Sequence, residues 1–201
     1  MTDFVFIDSG LGGIPYMLSL LQERPYAHCI YVADTKNFPY GEKSHKQVIK
    51  CVLPLVKKIS KKIKPKVIIL ACNTISVNAL DILRRTFPKI QFVGTVPAIK
   101  LAASISKTRR LGLLATKATC ENPYNIELKN KFAKDCILVC RDDGELVSFI
   151  EKNAFSANDE DIEKEIQPAL DFFTKENCDV IILGCTHFLN ISANLALRCL
   201  F

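Results

Sequence analysis

The sequence predicts an α/β protein with two pseudo-symmetric lobes, each a mostly parallel sheet flanked by helices. Short apolar runs alternate with helical patterns along the 201 residues, which is typical of parallel strands joined by crossover helices. The run V-I-I-L occurs at 67–70 and again at 180–183, and after one small residue each copy is followed by a cysteine. A second series of elements starts at 95–98, which predicts lobes at 1–96 and 97–201.

In the first lobe, branched and aromatic residues identify the strands, and apolar residues three or four positions apart identify the helices. Pro15 suits the first turn of its helix, whereas Pro54 lies inside the longest helix, where a bend is expected. The predicted elements are strands at 4–8, 29–33, 67–71 and 91–94, and helices at 14–23, 44–63 and 74–85.

The second lobe repeats the alternation, beginning with a helix near Pro97. Its strands are continuous apolar runs, as expected for strands covered by helices on both faces. The predicted elements are strands at 111–115, 137–140 and 180–183, and helices at 124–134, 146–153, 159–175 and from Phe188 onward.

The net charge of +6 comes largely from the lysine-rich segment 57–66. We interpret this segment as the solvated face of a helix whose Leu53, Val56, Ile59 and Ile63 point inward, because no aromatic residues interleave with the lysines as in a nucleic-acid site. No apolar run has the ~18 residues that a membrane span requires, and the N-terminus lacks a basic secretion leader. The expectation is a cytoplasmic protein without nucleic-acid or membrane partners.

Nine cysteines are scattered along the chain without a C-x-x-C pair, which favours reduced thiols over a disulfide framework. A low-molecular-weight phosphatase needs Cys-x5-Arg, but Asn78 and Ile191 stand at the arginine positions. Cys185 and His187 have the spacing of two metal ligands, yet no second ligand cluster accompanies them, so no metal is expected.

Polar residues follow three of the predicted strands, at 8–10, 72–74 and 185–187. In an open parallel sheet, ligands bind outside the carboxyl ends of the strands. Each of the two repeated cysteines also precedes a helix, where backbone N–H groups and the helix dipole favour a thiolate. His187 lies two residues after Cys185 and could exchange a proton with it.

Two thiols presented by facing lobes would place a base and an acid on opposite sides of one small substrate. This arrangement suits inversion of a stereocentre, since one thiolate removes a proton from carbon and the other thiol returns one to the opposite face. Oriented donors must stabilise the developing negative charge. The short donors expected at these edges are Ser9, Asn73, Thr74, Thr116, Thr119 and Thr186.

Four segments together resemble the glutamate racemases of the cofactor-independent aspartate/glutamate racemase superfamily: D-S-G-L-G-G at 8–13, A-D-T-K-N-F-P-Y-G at 33–41, A-C-N-T at 71–74 and G-C-T-H at 184–187. The resemblance implies that the chain interconverts L- and D-glutamate without a cofactor and supplies D-glutamate for bacterial peptidoglycan. It also implies an active site in the cleft between the lobes and a homodimer, which is common in the family.

The resemblance further implies roles for individual residues. Cys72 and Cys185 would be the two bases, with Asp8 assisting the first and His187 the second. The segment L-V-S-F-I-E points to Glu151 as the catalytic glutamate of the second lobe, with Glu145 as the weaker candidate. The substrate would be held by Asp8, Ser9, Pro39, Tyr40, Gly41, Cys72, Asn73, Thr74, Thr116, Thr119, Cys185, Thr186 and His187.

Relatives of this kind continue past G-C-T-H with segments that return to the first lobe. The sequence ends at Phe201, so we expect it to lack those elements and its activity to be reduced or absent. Two alternatives stay open: a racemase of aspartate or a related amino acid, and an inactive homologue that only binds an acidic ligand or a partner protein.

Overall fold

The computed structural model describes residues 2–153 and 156–198. It divides the chain into two compact units between Val96 and Pro97. Each unit contains a parallel sheet flanked by helices, so the predicted α/β class is confirmed. The eight cysteines in the described part of the chain are free thiols, and Cys199 lies outside it.

The described residues of the first unit form a four-stranded parallel sheet, in which the unit's strands lie side by side in the order second, first, third, fourth. Val5 of the first strand pairs with Ile68 of the third and with Ile30 of the second, so the first strand lies between them. The elements are β1 (Phe4–Asp8), α1 (Ile14–Glu23), β2 (Cys29–Ala33), α2 (His45–Lys62), β3 (Val67–Leu70), α3 (Asn73–Thr86) and β4 (Gln91–Gly94). The loop after β2 also contains two 3-10 turns, at Thr35–Asn37 and Tyr40–Glu42, which the sequence did not indicate.

The lysine-rich helix α2 packs against α3 and buries a stripe at four-residue and three-residue spacing. Its buried side chains are Val48, Val52, Val56 and Ile59. Leu53 and Ile63, which we expected to point inward, are only partly buried. The reason is geometric, because the stripe that starts at Val48 continues through 52, 56 and 59 and leaves 53 and 63 on its flanks. The lysines at 57, 58, 61 and 62 are exposed, as predicted.

The described residues of the second unit form a three-stranded parallel sheet, in which the unit's first strand lies between its second and third. This order matches β2-β1-β3 of the first unit, since in both cases the first strand of the unit lies in the middle. The elements are α4 (Ile99–Ile105), β5 (Arg110–Ala115), α5 (Lys117–Cys120), α6 (Pro123–Phe132), β6 (Ile137–Asp142), α7 (Gly144–Asn153), α8 (Asp159–Lys175), β7 (Val180–Gly184) and α9 (Ser192–Arg198).

Most boundaries in the second unit lie within a few residues of those predicted. The short helix α5 was not predicted. Thr116 caps it by accepting a hydrogen bond from the amide of Thr119. The segment predicted as helical from Phe188 onward begins earlier, as a 3-10 turn at Thr186–Ile191. Across residues 2–153 and 156–198, the structure contains no helix long and apolar enough to cross a membrane.

Candidate active site

The first group of predicted site residues lies at the carboxyl edge of the first unit's sheet. β1 and β3 are adjacent and parallel, with Ile7 opposite Leu70. Asp8 ends β1, and Cys72 follows two residues after Leu70, in an extended conformation that caps the N-terminus of α3. Because parallel strands end at one edge, the topology brings Asp8 and Cys72 to the same edge. Both side chains are buried.

The Asp8 carboxylate is held by the residue that follows it. The Ser9 amide donates a hydrogen bond to Oδ1 at 2.6 Å, and the Ser9 hydroxyl lies 3.5 Å from the same oxygen. Asp8 is fully buried, so a hydrogen bond from the backbone offsets part of the cost of removing its carboxylate from water. Two predicted site residues, Asp8 and Ser9, are thereby fixed as one group.

The glycine-rich loop after Ser9 is fixed against the end of β3. A Cβ atom built on Gly13 would lie 2.6 Å from the carbonyl oxygen of Ala71 and 2.7 Å from its Cβ, so only glycine fits. The Tyr31 hydroxyl accepts a hydrogen bond from the Gly13 amide at 3.1 Å and donates one to the Gly10 carbonyl at 2.9 Å. Tyr31, which the sequence analysis did not single out, therefore ties this loop to β2.

The structure places the ring of Tyr40 in the core of the first unit, although the resemblance implied a role in holding substrate. The ring is fully buried, and its hydroxyl donates a hydrogen bond to the Asp34 carboxylate. Burial and the nearby carboxylate raise the pKa of this hydroxyl far above its usual value, so it stays a protonated donor. Substrate binding by Tyr40 stays a prediction, and Pro39 and Gly41 lie beside it in the loop.

Asn73 and Thr74 begin α3 directly after Cys72, and both are buried. The Thr74 carbonyl accepts a hydrogen bond from the Asn78 side-chain nitrogen at 2.8 Å. The Asn78 oxygen lies 3.0 Å from Nδ1 of His45, at the first position of α2. An amide oxygen only accepts, so His45 carries its proton on Nδ1. No sequence pattern pointed to His45, because Asn78 is 33 residues away from it.

The second group of predicted residues lies at the carboxyl edge of the second unit's sheet. Ala115 of β5 pairs with Gly184 of β7, so Thr116 and Cys185 both come one residue after this pair. A Cβ atom at Gly184 would lie 2.6 Å from Leu113 Cδ1 and 2.9 Å from Ala115 Cβ. The close packing of β7 against β5 therefore requires glycine immediately before Cys185.

Cys185, His187 and Glu151 form a continuous hydrogen-bonded chain. The Cys185 sulfur lies 3.6 Å from Nδ1 of His187, and Nε2 of His187 lies 2.7 Å from Oε2 of Glu151. Cys185 and His187 are buried, while the Glu151 side chain is 17% exposed. The 3-10 turn after β7 carries His187, and α7 carries Glu151, which comes from 36 residues earlier in the chain.

The carboxylate fixes the direction of this chain. An ionised carboxylate only accepts, so Nε2 of His187 carries a proton toward Glu151, and Nδ1 presents its lone pair to the Cys185 thiol. The imidazole can then take the thiol proton, and the carboxylate stabilises the imidazolium that forms. Glu145, the weaker candidate, is exposed in the first turn of the same helix. The structure thus places Glu151 at His187.

The threonines predicted to hold substrate are buried in the second unit. Thr116 and Thr119 contact each other, with the Thr116 hydroxyl donating to the Thr119 hydroxyl at 3.1 Å. Thr186 is at the first position of the 3-10 turn that follows Cys185. The Asn125 side chain donates a hydrogen bond to the carbonyl of Thr119, and this support had no signal in the sequence.

Each unit therefore presents a buried cysteine at the point where a strand gives way to a helical segment, with short polar side chains beside it. Within the described residues, no group of three or more histidine, cysteine, aspartate or glutamate side chains is arranged to hold a metal ion. The side chains at the two sheet edges offer thiol and imidazole groups for proton transfer, and hydroxyl and amide groups for binding an anion.

A family model described as Asp/Glu/Hydantoin racemase matches residues 16–199. The chain is 42% identical over 181 residues to the glutamate racemase of Actinobacillus pleuropneumoniae serotype 3 (strain JL03), covering 90% of this chain and 68% of that protein. It is 37% identical over 192 residues to the glutamate racemase of Treponema pallidum (strain Nichols), covering 94% of this chain and 70% of that protein.

Solved structures of glutamate racemases are also similar to this chain. The crystal structure of Escherichia coli glutamate racemase in complex with L-glutamate and the activator UDP-MurNAc-ala has a TM-score of 0.85 and 32% identity, covering 98% of this chain and 74% of that one. The glutamate racemase of Francisella tularensis subsp. tularensis SCHU S4 in complex with D-glutamate has a TM-score of 0.80 and 29% identity, covering 98% and 73%.

Proposed function

Because the chain belongs to the Asp/Glu/Hydantoin racemase family, we propose that it is a glutamate racemase in which Cys72 and Cys185 are the two bases. The observation that carries the proposal is the placement of the repeated V-I-I-L-x-Cys segments. Each run forms a strand beside the central strand of its own unit, and each cysteine then caps a helical segment. Relatives named glutamate racemase support the choice of substrate.

In the proposed reaction, one thiolate removes the α-proton of glutamate, so the Cα–H bond breaks and an S–H bond forms. The opposite thiol then donates its proton to the other face of the carbon. An α-proton is far less acidic than a thiol of pKa about 8.5. Proton transfer contributes roughly 10²–10⁴ in rate, and stabilisation of the developing charge must supply the remainder. On the Cys185 side, His187 receives or returns the thiol proton, with Glu151 behind it.

The substrate carboxylates and ammonium need short donors and acceptors. The residues proposed for this purpose are buried beside the two cysteines: Ser9, Asn73, Thr74, Thr116, Thr119 and Thr186. Asp8 assists Cys72 as a proton acceptor or an orienting group, because a carboxylate next to a thiol disfavours the thiolate. Pro39, Tyr40 and Gly41 complete the proposed set. The D-glutamate formed would supply peptidoglycan synthesis in the cytoplasm, and a homodimer is the expected assembly.

The test is incubation of the chain with each pure enantiomer of glutamate and of aspartate in deuterated water. We expect deuterium to enter the α-position of glutamate, as measured by proton NMR, together with formation of the opposite enantiomer. Cys72→Ala and Cys185→Ala should each abolish inversion, since the two-base reaction needs both thiols. Circular dichroism checks that both variants are folded.

The outcomes separate the competing functions. Inversion by either single variant would contradict the two-base assignment. Exchange with aspartate but not with glutamate would make the chain an aspartate racemase. Binding of glutamate without any exchange at its α-carbon would identify a non-catalytic homologue.

A further inference from the structure

A second pair of cysteines lies in the second unit, apart from Cys185. Cys120 is the last residue of α5, and Cys140 lies on β6, an edge strand of the sheet. α5 packs against β6, and the two cysteines line one cavity. Cys140 is exposed, whereas Cys120 is only partly exposed. One thiol is thus open to solvent, and a second, less exposed thiol lies in the wall of the same cavity.

The pair lines an open cavity of about 430 Å³. Lys129 and the amide of Asn125 contribute polar groups to its wall, and Ile126 and Ile137 contribute apolar ones. The Asn125 side chain is buried, and its Oδ1 atom has no hydrogen-bond partner among the residues that the structure describes. The cavity is open, so it admits a small polar reagent to the thiols.

The two thiols differ in reactivity. The neighbouring Cys120 thiol lowers the pKa of Cys140, and the neighbouring Cys140 thiol, followed by burial, raises the pKa of Cys120. Cys136 lines the same cavity but is buried, and burial raises the pKa of its thiol. Thiolate character and exposure control the oxidation of cysteine, so Cys140 is the thiol of this group that reacts first.

We propose that Cys140 and Cys120 form an oxidation site, at which hydrogen peroxide converts the thiol pair into a disulfide that joins β6 to α5. The Cys140 thiolate attacks one peroxide oxygen, so an S–O bond forms, the O–O bond breaks and water leaves after protonation. The Cys120 sulfur then attacks the sulfenic acid, forming the S–S bond and releasing a second water. Overall the two thiols lose two electrons and two protons, and peroxide is reduced to two molecules of water.

The link would act on the second group of site residues. Cys120 directly follows Thr119, whose hydroxyl contacts Thr116. A disulfide to β6 constrains the short helix that carries Thr119, and we expect weaker substrate binding, seen as a raised KM. This consequence rests on the proposed function, whereas formation of the disulfide does not.

The disulfide is tested by graded peroxide treatment of the full chain, alkylation of the remaining thiols and mass spectrometry of tryptic peptides. Cleavage after lysine and arginine places Cys120 in the peptide 118–129 and both Cys136 and Cys140 in the peptide 135–141. We expect these two peptides to become linked at the lowest effective dose and to separate on reduction with dithiothreitol.

Matched variants assign the sulfur atoms. Cys140→Ser should abolish the link between the two peptides, whereas Cys136→Ser should leave the link intact. Both substitutions lie in the peptide 135–141, so each is the matched control for the other. Linkage through Cys136, or free thiols at both 120 and 140 after peroxide has oxidised other cysteines, would overturn the proposal. These readouts need no racemase activity, so failure of the disulfide and failure of the proposed function are distinguishable.

Discussion

His187 lies between a thiol and a carboxylate, and its two ring nitrogens have different roles. Nε2 donates toward Glu151, which leaves Nδ1 as the acceptor facing Cys185. The hydrogen-bonded series Cys185–His187–Glu151 is buried at the thiol and partly exposed at the carboxylate. If Cys185 is a base, as proposed, Glu151 contacts the thiol only through His187 and is a positioning residue.

Replacing Glu151 with glutamine tests that role. Glutamine keeps an oxygen that can accept from Nε2 but removes the negative charge that stabilises the imidazolium, so we expect kcat for racemisation to fall about 10- to 100-fold, with a smaller change in KM. The measurement is steady-state kinetics in both directions. Glu145→Gln, on the exposed face of the same helix, is the control and should leave kcat unchanged. Equal effects of both substitutions would contradict the assignment.

At the scale of elements, the start of α1 and the end of β3 fix each other. Gly13 lies against Ala71, and the Tyr31 hydroxyl is hydrogen-bonded to Gly10 and Gly13, the two ends of the glycine-rich turn before α1. Because Cys72 follows Ala71, the position of the first proposed base depends on this contact between a loop and a strand.

Gly13→Ala tests the contact. The new methyl group cannot fit beside the Ala71 carbonyl, so we expect a loss of about 1–3 kcal/mol in the free energy of unfolding and a lower kcat. Urea denaturation gives the stability. Leu18→Ala on the same helix is the control, because Leu18 is 52% exposed and its truncation should change stability by less than about 0.5 kcal/mol. Unchanged stability of Gly13→Ala would show that the loop yields without cost.

A second contact between elements joins the end of α4 to the start of β7. The Asp179 carboxylate accepts hydrogen bonds from the Ser106 hydroxyl at 2.6 Å and from the Thr108 amide and hydroxyl, each at 3.0 Å. Burial raises the pKa of Asp179, but these bonds and one from the Lys107 amide outweigh it and hold the pKa well below its usual range.

The depressed pKa of Asp179 predicts a pH dependence. The folded state binds this proton less readily than the unfolded state, so the stabilisation is fully present above about pH 4 and is lost as the pH falls further. Asp179→Asn should lower the melting temperature at pH 7 and flatten its acid dependence between about pH 4 and pH 2. Glu165→Gln, at an exposed site on α8, removes the same charge and should do neither. The same acid slope in Asp179→Asn and wild type would contradict the argument.

On the scale of the whole molecule, the two units repeat one plan. The spatial orders β2-β1-β3 and β6-β5-β7 are equivalent. In each unit, the repeated apolar run forms the third strand along the chain. Ser9 and Cys72 lie two residues past the pair Ile7–Leu70, and Thr116 and Cys185 lie one residue past the pair Ala115–Gly184. Each thiol is therefore matched by a hydroxyl at the same level on the neighbouring strand.

If one ligand engages residues of both units, it stabilises the whole chain. We expect D-glutamate at 100 times its Kd to add about 2.7 kcal/mol to the free energy of unfolding, seen as a raised melting temperature. Thr74→Val in the first unit and Thr186→Val in the second should each reduce this shift. A shift that only one of the two variants reduces would mean that the ligand is held by one unit alone.

The sequence predicted the strands well because each carries its own signal, a short branched apolar run ending in polar residues. The comparisons also confirm the resemblance to glutamate racemases. It could be recognised from the sequence because its four motifs are spread over most of the chain. The buried stripe of α2 was predicted only in part. Apolar residues lie on two adjoining faces of this helix, and their spacing does not determine which of the two faces packs against α3.

Supporting residues were missed where contacts join distant parts of the chain. Tyr31 reaches a glycine 18 residues away, and His45 reaches an asparagine 33 residues away. Neither residue stands in a local pattern, so no periodicity or motif marks it. Tyr40 is the opposite case, because a motif pointed to the residue but nothing in the sequence indicated that its ring is fully buried.

The two hydrogen bonds of the Tyr31 hydroxyl make this residue a suitable spectroscopic reporter of the glycine-rich turn before α1. The protein has five tyrosines and no tryptophan, and the Tyr31 hydroxyl both accepts from and donates to the glycine turn. A fluorine atom introduced on the tyrosine rings would give a resonance for residue 31, identified by its loss in Tyr31→Phe. Its chemical shift would register whether the turn before α1 tightens or opens when an amino acid arrives, without any label on the thiols themselves.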